Sequence, residues 1–139
     1  MIVLVDTTVW SLALRRRREA LNAVESAVVE EWVRLVGSGE AALAGPIRQE
    51  VLSGIRSAEA FAAMQEQLGN FRYLAIVPAD YDRAAGFFND CRAAGIAATA
   101  IDMLLCAIAH RHEVPIFTTD GDFARYANRI PIRLHQPLA

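Results

Sequence analysis

An uninterrupted apolar run at the start of the chain ends at a carboxylate. Residues 2–5 (Ile-Val-Leu-Val) predict a buried parallel strand, because a strand covered on both faces has no need of alternating polar positions. Asp6 follows this strand and opens the segment DTTVW at residues 6–10. Open α/β sheets bind their ligands at the carboxyl ends of their strands. Asp6 is therefore the first candidate functional residue.

Helical and strand-like segments alternate along the rest of the chain. Further strands are predicted at 41–44, 73–77, 115–118 and 131–134, and helices at 9–14, 19–36, 58–68, 80–94, 99–112 and 124–128, with another helix opening at Pro46. This alternation predicts a three-layer α/β/α sandwich around a central parallel sheet. The length of 139 residues suits one domain, which we place at residues 1–139.

The composition excludes several classes of protein. All fourteen basic residues are arginine, so mechanisms that need a Schiff-base lysine, a Walker lysine or a receiver-domain lysine are excluded. Cys91 and Cys106 form no CxxC pair, and each lies in a predicted helix, which favours small buried hydrophobes. The apolar stretches are too short to predict a membrane span. Met1 is followed directly by a strand, so we expect no signal peptide and a cytoplasmic protein.

Three other acids fall at positions comparable to that of Asp6. Asp120 follows a later strand, Asp102 lies near the start of a helix, and Glu50 lies about one turn into another helix. The ends of parallel strands and the starts of the helices after them face one edge of the sheet, so the four acids can converge. Crowded carboxylates repel one another unless a cation neutralises them. Oxygen ligands without His or Cys favour Mg²⁺ or Mn²⁺, a site that suits phosphodiester chemistry.

Each acid also has a purely structural explanation. Asp6 or Thr7 could cap the first helix, and Asp102 could complete a capping box with the threonine three residues earlier. Glu50 could be a solvated helix residue, and residues 120–122 could form a turn. Four independent coincidences at one sheet edge explain the pattern less well than one metal site does.

Four segments together resemble the motifs of a known family. In chain order they are DTTVW at 6–10, PIRQEV at 46–51, the stretch from Gly95-Ile96 to DMLLCAIA at 102–109, and FTTDGDF at 117–123. The last segment closely matches a Thr-x-Asp-x-Asp-Phe pattern. The ordered set resembles the PIN-domain ribonucleases over the whole chain, and specifically the VapC toxins of type II toxin–antitoxin systems.

The resemblance implies a metal-dependent endoribonuclease. Asp6, Glu50, Asp102 and Asp120 would form the catalytic set around one or two Mg²⁺ or Mn²⁺ ions, with the three aspartates as metal ligands. The reaction would cut RNA internally and leave a 5′-phosphate. The implied partners are an RNA substrate, a VapB-like antitoxin and a second copy of the chain in a homodimer.

Three further residues belong to the same motifs. Asp122 could extend the metal site or cap the helix that begins near Phe123. Thr8 stands where many members of the family carry Ser or Asn. Thr119 could orient a metal-bound water or close the turn.

Residues outside the motifs leave alternatives open. The block Arg15 to Arg18 could grip RNA phosphates, complement a helix end or face an antitoxin. Trp10 and Trp32 sit at apolar helical positions, which predicts core or dimer contacts. His135 has no partner that the sequence can identify.

Two other functional classes compete with a nuclease. A non-catalytic PIN-like module that binds RNA or a partner would have little use for four repelling carboxylates. A phosphoryl-accepting receiver domain has an acidic Mg²⁺ pocket too, but it needs a lysine that this chain lacks. Among RNA substrates, tRNA, ribosomal RNA and mRNA all stay open.

Overall fold

A four-stranded sheet with helices around it makes up residues 1–137, which the computed structural model describes. The strands are β1 Val3–Val5, β2 Ala41–Leu43, β3 Arg72–Tyr73 and β4 Ile116–Phe117. The helices are α1 Thr7–Arg15, α2 Ala23–Gly37, α3 Gly45–Leu52, α4 Ala58–Leu68, α5 Pro78–Ala93, α6 Ala100–His112 and α7 Asp122–Ala127, with a 3₁₀ turn at Arg18–Ala20. None of the helices in these residues is long and apolar enough to cross a membrane.

The predicted parallel sheet is confirmed. Its strand order is β3-β2-β1-β4, and every neighbouring pair is parallel. Leu4 of β1 pairs with Ala42 on one side and with Ile116 on the other. All three residues of β1 are buried, as expected for a strand covered on both faces. The architecture is the three-layer α/β/α sandwich.

The strand order changes direction between β1 and β4. The chain moves from β1 through β2 to β3 at one edge, and then crosses back past β1 to β4. Right-handed crossovers therefore put α1 to α4 on one face of the sheet and α5 and α6 on the other. In agreement, α1 packs against α2 and α3, whereas α5 packs against α6. Open α/β sheets form ligand crevices at such a switch point, and Asp6 and Asp120 follow the two strands that flank it.

The single helix predicted over 19–36 is wrong, because the chain divides it into a 3₁₀ turn and α2. The side chain of Asn22 accepts the N–H of Glu25 at 2.8 Å, and the Glu25 carboxylate accepts the N–H of Asn22 at 3.1 Å. This reciprocal capping box begins a new helix at Ala23. The apolar periodicity runs through the boundary and does not show it. Helix α1 also begins two residues earlier than predicted, at Thr7.

The strand predicted at 73–77 is mostly wrong. β3 ends at Tyr73, and one further bond to β2 follows it, from the N–H of Leu74 to the carbonyl of Leu43 at 2.8 Å. The carbonyl oxygen of Ala75 instead accepts a hydrogen bond from Arg111 at 2.5 Å and lies 2.9 Å from Nε2 of His112. Side chains at the end of α6 thus satisfy backbone groups that a neighbouring strand would otherwise pair.

The strand predicted at 131–134 is reduced to one parallel bridge between Leu134 and Ile116. The N–H of Ile116 donates to the carbonyl of Arg133 at 2.9 Å, and the N–H of His135 donates back to Ile116 at 2.8 Å. Two bonds therefore attach this segment to the outer side of β4 without forming a full strand.

Trp10 is a core residue that lies directly under the end of β1. Its side chain is fully buried, and its ring packs edge-on against Trp32 at 5.6 Å and against Phe71 at 4.8 Å. The indole N–H donates to the carbonyl of Val5 at 2.9 Å, immediately before Asp6. The prediction of a core contact is confirmed for both tryptophans, and Trp10 fixes the backbone from which Asp6 projects.

The two cysteines are buried, as predicted. Both are free thiols, Cys91 against α6 and Cys106 within α6. Burial raises the pKa of both thiols, so neither ionises readily near neutral pH. They act as small hydrophobes in the layer formed by α5 and α6.

Glu31 of α2 is a buried carboxylate with two cationic or polar neighbours. Arg34 donates to it through Nε and Nη2, both at 2.7 Å, and Nε2 of His135 lies 2.5 Å from its Oε2. These hydrogen bonds, chiefly the one from Arg34, lower the pKa of Glu31 to about 2 despite its burial. His135 thus has a partner that the sequence did not identify, and this contact attaches the segment beside β4 to α2.

Candidate active site

A cleft of about 700 Å³ opens at the carboxyl ends of β1 and β4. One wall comes from the loops after these strands and from the first turn of α6. The other wall comes from α1, the start of α2 and the exposed side of α3. The lining includes all four predicted acids and two of the predicted threonines, namely Asp6, Glu50, Asp102, Asp120, Thr8 and Thr119.

Asp6 is buried at the base of this cleft, with 7% of its surface exposed. It occupies the N-cap position of α1, yet its side chain makes no capping hydrogen bond. Its Oδ2 instead accepts the hydroxyl groups of Thr8 at 3.1 Å and of Thr118 at 2.8 Å. Helix capping therefore does not explain this carboxylate, which is held by groups from two different segments.

The same hydroxyl groups connect the loop after β4 to the start of α1. Thr118 accepts the N–H of Asp120 at 3.0 Å, and Thr8 accepts the N–H of Thr119 at 3.0 Å. Each threonine therefore donates to Asp6 while it accepts from the loop that carries Asp120. This arrangement fixes the relative positions of two acids that are more than a hundred residues apart in sequence.

Asp102 is the third residue of α6, in a desolvated environment. Oγ1 of Thr99 accepts its N–H at 3.1 Å, which gives the helix its N-cap. The Asp102 carboxylate does not complete the capping box, and its Oδ2 accepts the hydroxyl of Tyr126 at 2.8 Å. Burial is the main factor that raises the pKa of Asp102, and the charges of Asp6 and Asp120 raise it further. A carboxylate in this state gains from a nearby cation.

Glu50 reaches the cleft from a third direction. It lies in α3 and is exposed as a whole residue, but its carboxyl group is partly desolvated at the rim of the cleft. This desolvation raises the pKa of Glu50, and the charges of Asp6 and Asp102 add to the effect. The electrostatic coupling to both aspartates is not expected of an isolated, solvated helix residue.

Asp120 and Asp122 differ in their surroundings. Oδ1 of Asp120 accepts the N–H of Asp122 at 2.9 Å, so Asp120 also helps to begin α7. Asp122 is the first residue of α7, and its carboxylate forms an ion pair with Arg125. In the described part of the chain Asp122 does not line the cleft. The predicted capping role is wrong, because Gly121 rather than Asp122 is the N-cap of α7; a role in the metal site stays a prediction.

The donor set fits a hard divalent cation. Carboxylates and hydroxyls line the cleft, and within residues 1–137 no imidazole or thiol does. Such oxygen ligands favour Mg²⁺ or Mn²⁺. In those same residues no three carboxylate, imidazole or thiol side chains stand close enough together to hold an ion without rearranging. Mutual repulsion keeps like charges apart, so ligation requires acidic side chains other than the fixed Asp6 to turn toward the ion.

Two residues that contact the acids are missing from the candidates predicted from sequence. Thr118 is the first threonine of the Thr-x-Asp pattern, so a signal for it was present in the motif. Tyr126 is 1% exposed and lies on α7 among apolar neighbours, where an aromatic residue is ordinarily read as core. Burial and the bond to Asp102 raise the pKa of Tyr126, which stays protonated and able to donate.

The arginine block divides at the edge of the cleft. Arg15 and Arg16 line it, whereas Arg17 and Arg18 are exposed and lie outside it in the described part of the chain. Arg15 donates to the carbonyl groups of Val51 and Ser53 at the end of α3. The first residue of the block therefore ties α1 to the helix that carries Glu50.

The fold and the cleft define a class, the parallel α/β domains with an acidic pocket at the switch point of the sheet. The sequence model of the PIN domain matches residues 3–129, from β1 to just beyond α7. The chain belongs to the PIN-domain family, as its motifs predicted. A search of curated proteins gives no match.

Solved structures share this fold at low sequence identity. FitAcB from Neisseria gonorrhoeae is 19% identical, with a TM-score of 0.70 over 98% of both chains. A toxin–antitoxin complex from Klebsiella pneumoniae is 20% identical, with a TM-score of 0.67 over 88% of this chain and 90% of that one. VapC20 from Mycobacterium tuberculosis, described as a Sarcin-Ricin loop cleaving toxin, is 21% identical, with a TM-score of 0.62 over 94% and 98%.

Proposed function

We propose that this chain is a Mg²⁺- or Mn²⁺-dependent endoribonuclease that acts as the cytoplasmic toxin of a type II toxin–antitoxin system. The observation that carries the proposal is the meeting of four acids in one cleft at the switch point of a PIN-domain fold, namely Asp6, Glu50, Asp102 and Asp120. The description of VapC20 as a toxin that cleaves the Sarcin-Ricin loop supports RNA as the substrate class.

The acids differ in how firmly they are held, and we assign their roles accordingly. Asp6 is fixed at the base of the cleft by Thr8 and Thr118, which makes it a preorganised ligand. Asp102 and Asp120 approach from α6 and from the loop after β4, and complete the set of three ligands. When bound, the metal ion supplies Lewis-acid polarisation of the scissile phosphate and a nucleophile at neutral pH.

Glu50 has a separate role in this proposal. It sits on α3, across the cleft from α6, with its pKa raised by desolvation and by the neighbouring aspartates. A carboxylate with a raised pKa at the rim of a metal site is suited to orient the attacking water and to accept its proton. Arg15 supports this placement by bonding to the carbonyl of the residue after Glu50.

A scaffold function accounts for these features less well. Desolvation and like charges raise the pKa of both Glu50 and Asp102, so in the absence of a cation their ionised forms cost folding free energy. A module that only binds a partner has no need of this cost. A receiver domain needs a lysine that this chain lacks, and the family model that matches the chain is that of the PIN domain.

We also propose a VapB-like antitoxin as partner and a homodimer as the assembly. The support for the first is the similarity to a toxin–antitoxin complex from Klebsiella pneumoniae. The two tryptophans do not support the homodimer, because Trp10 is fully buried and Trp32 packs against it within one chain. The homodimer therefore stays a prediction. The mass of the purified chain in solution tests the dimer.

RNA cleavage by the purified chain tests the nuclease proposal. We expect total bacterial RNA to be cut internally in the presence of Mg²⁺ or Mn²⁺, cutting to stop on addition of EDTA, and cutting to resume when excess metal is restored. The new RNA ends should carry 5′-phosphates. Intact RNA under all metal conditions, or cleavage that EDTA leaves unchanged, would contradict the proposal.

Tyr126→Phe should weaken the metal site while leaving the core packed. The substitution removes the hydroxyl that donates to Asp102 but keeps the buried ring. Loss of a residue that orients a metal ligand lowers metal affinity by about 10- to 100-fold. The measurement is Mn²⁺ binding followed by electron paramagnetic resonance, with RNA cleavage beside it. Tyr81→Phe, at an exposed position of α5, is the matched control. Unchanged Mn²⁺ affinity in Tyr126→Phe would remove this role from the tyrosine.

A further inference from the structure

The wall of the cleft formed by α1 and α2 carries an ion pair that the proposed cleavage chemistry does not use. Arg16, at the end of α1, lies with its Nη2 3.6 Å from Oε2 of Glu25, at the start of α2. Both residues line the cleft that also contains the four acids. We propose that Arg16 is a contact for a phosphate of the RNA strand, and that Glu25 holds Arg16 when RNA is absent. This inference rests on the proposed function.

Glu25 is a rigid partner in this pair. Its Oε1 accepts the N–H of Asn22 at 3.1 Å, and its own N–H donates to the side chain of Asn22 at 2.8 Å. The capping box therefore fixes the carboxylate, and Oε2 stays available for Arg16. A fixed acid can hold a long arginine side chain at one place on the wall of the cleft.

The ion pair between Arg16 and Glu25 is weak enough for a ligand to replace Glu25. Half of the Arg16 side chain and a quarter of the Glu25 side chain are exposed, and 3.6 Å is longer than a charge-assisted hydrogen bond. Exposed ion pairs of this kind contribute little to stability. A phosphate can offer the guanidinium two parallel hydrogen bonds, so it competes well for Arg16.

Arg15, next to it, is engaged elsewhere. It is bonded to the carbonyl groups of Val51 and Ser53 at the end of α3. Freeing it would leave backbone groups of α3 without a donor. Arg16 is therefore the arginine of the cleft that can turn toward a ligand without disturbing the packing of a helix.

The position of Arg16 favours a phosphate away from the bond that is cut. Arg16 follows Asp6 by ten positions along α1, which corresponds to about 15 Å of helix. A strand with its scissile phosphate at Asp6 would have to continue along α1 to reach Arg16. The contact would thus add affinity and fix the direction of the strand without taking part in bond cleavage.

The charges of the cleft favour binding of a polyanion together with a metal ion over binding of a protein segment near Arg16. Arg16 and Arg15 are the basic residues among its described lining, against five carboxylates, the four acids and Glu25. Metal ions neutralise the acids, and the arginine side then attracts the backbone of a nucleic acid. The phosphate contact is independent of sequence, so it can be tested without knowing the natural RNA.

Binding measurements with a random-sequence pool of single-stranded RNA test the inference. They are made in the Asp102→Asn chain with excess Mg²⁺, which offsets the lower metal affinity of this variant, so that RNA is held without being cut. We expect Arg16→Gln to weaken binding about fivefold, and to lower the slope of log affinity against log salt by about one. Glu25→Gln keeps the capping box, because glutamine also fits it, and should tighten binding about two- to fivefold. Arg17→Gln, an exposed arginine outside the cleft, is the control and should change affinity less than twofold.

Cleavage kinetics in the otherwise unmodified chain separate failure of this inference from failure of the proposed function. If Arg16 contacts a flanking phosphate, Arg16→Gln raises KM several-fold at nearly unchanged kcat. If the parent chain cleaves RNA, and both Arg16→Gln and Glu25→Gln bind and cleave RNA as the parent does, the phosphate contact is contradicted. The nuclease proposal then stands. No cleavage, but weaker RNA binding in Arg16→Gln, would keep the contact and overturn the nuclease. If Arg16→Gln does not fold, the opposite shift expected in Glu25→Gln decides. Loss of antitoxin binding at unchanged RNA affinity would assign Arg16 to a protein partner and overturn the inference.

Discussion

Replacing Asp102 with asparagine is expected to slow RNA cleavage by about a thousandfold, equivalent to about 4 kcal/mol of transition-state stabilisation. Asparagine keeps the shape of the side chain and an oxygen that can accept the Tyr126 hydroxyl. What it removes is the negative charge that we assign to metal binding. Asp6→Asn should have a similar effect, because Asp6 is the acid held at the base of the cleft.

Stability and activity should separate in these variants. Burial and neighbouring negative charges raise the pKa of Asp102, so its charge is unfavourable in the folded chain without metal. We expect Asp102→Asn to unfold at a denaturant concentration equal to or above that of the parent chain. Asp122→Asn is the control, because Asp122 is ion-paired with Arg125 outside the cleft. Parent-like cleavage by Asp6→Asn or Asp102→Asn would contradict the assigned metal site. A thousandfold loss of cleavage in Asp122→Asn would mean that Asp122 belongs to the site as well.

Neutralising Glu31 is expected to lower the free energy of unfolding at pH 7 by about 2 kcal/mol. In Glu31→Gln the bonds from Arg34 and His135 lose their anionic acceptor, and an almost fully buried position holds a neutral amide in its place. The loss should be far larger than that of Glu30→Gln, an exposed glutamate next to it on α2, for which we expect less than about 0.5 kcal/mol.

The pH dependence of the same variant follows from the direction of the shift. The pKa of Glu31 falls from 4.5 to about 2 on folding, so its ionised form stabilises the folded chain at pH values above 4.5. That contribution is lost as the pH falls from 4.5 toward 2. Urea unfolding at pH 7 and pH 3 should therefore bring the parent and Glu31→Gln closer together at the lower pH. An unchanged gap between the two chains would contradict the buried ion pair.

The layered fold and the edge that carries the acids could be predicted from local sequence. The run at residues 2–5 is apolar throughout, which only a strand covered on both faces requires. Asp6 and Asp120 then follow strands directly, and parallel strands end at the same edge. The positions of these acids therefore depended on short-range patterns and on the rules of α/β topology.

The features that sequence did not predict depend on contacts between distant residues. Just beyond β3, Arg111 bonds to the carbonyl of Ala75, thirty-six positions away. His135 finds Glu31 at a separation of 104 residues. No periodicity encodes such pairs, since they exist only once the chain has folded. The division of the helix predicted at 19–36 has a local cause instead. The Asn-x-x-Glu capping box that divides it could have been recognised in the sequence.

The residues that hold the acids were harder to predict than the acids. Tyr126 is an aromatic residue on a short helix with Phe123, a pattern that indicates core packing, and that is where its ring lies. Its hydroxyl donates to Asp102, which lies on a different helix, α6. The acids are thus visible in the sequence, whereas a support such as Tyr126 becomes visible only in the packed structure.

Equilibrium binding of Mn²⁺ to the purified chain, followed by the electron paramagnetic resonance signal of the free ion, tests the four-acid metal site most directly. It needs neither the natural RNA nor the antitoxin. We predict saturable binding by the intact chain, competed by Mg²⁺, and a loss of affinity of at least about tenfold in Asp6→Asn and in Asp102→Asn but not in Asp122→Asn. Absence of saturable binding, or equal affinity in the parent and Asp102→Asn chains, would contradict the metal site in this cleft.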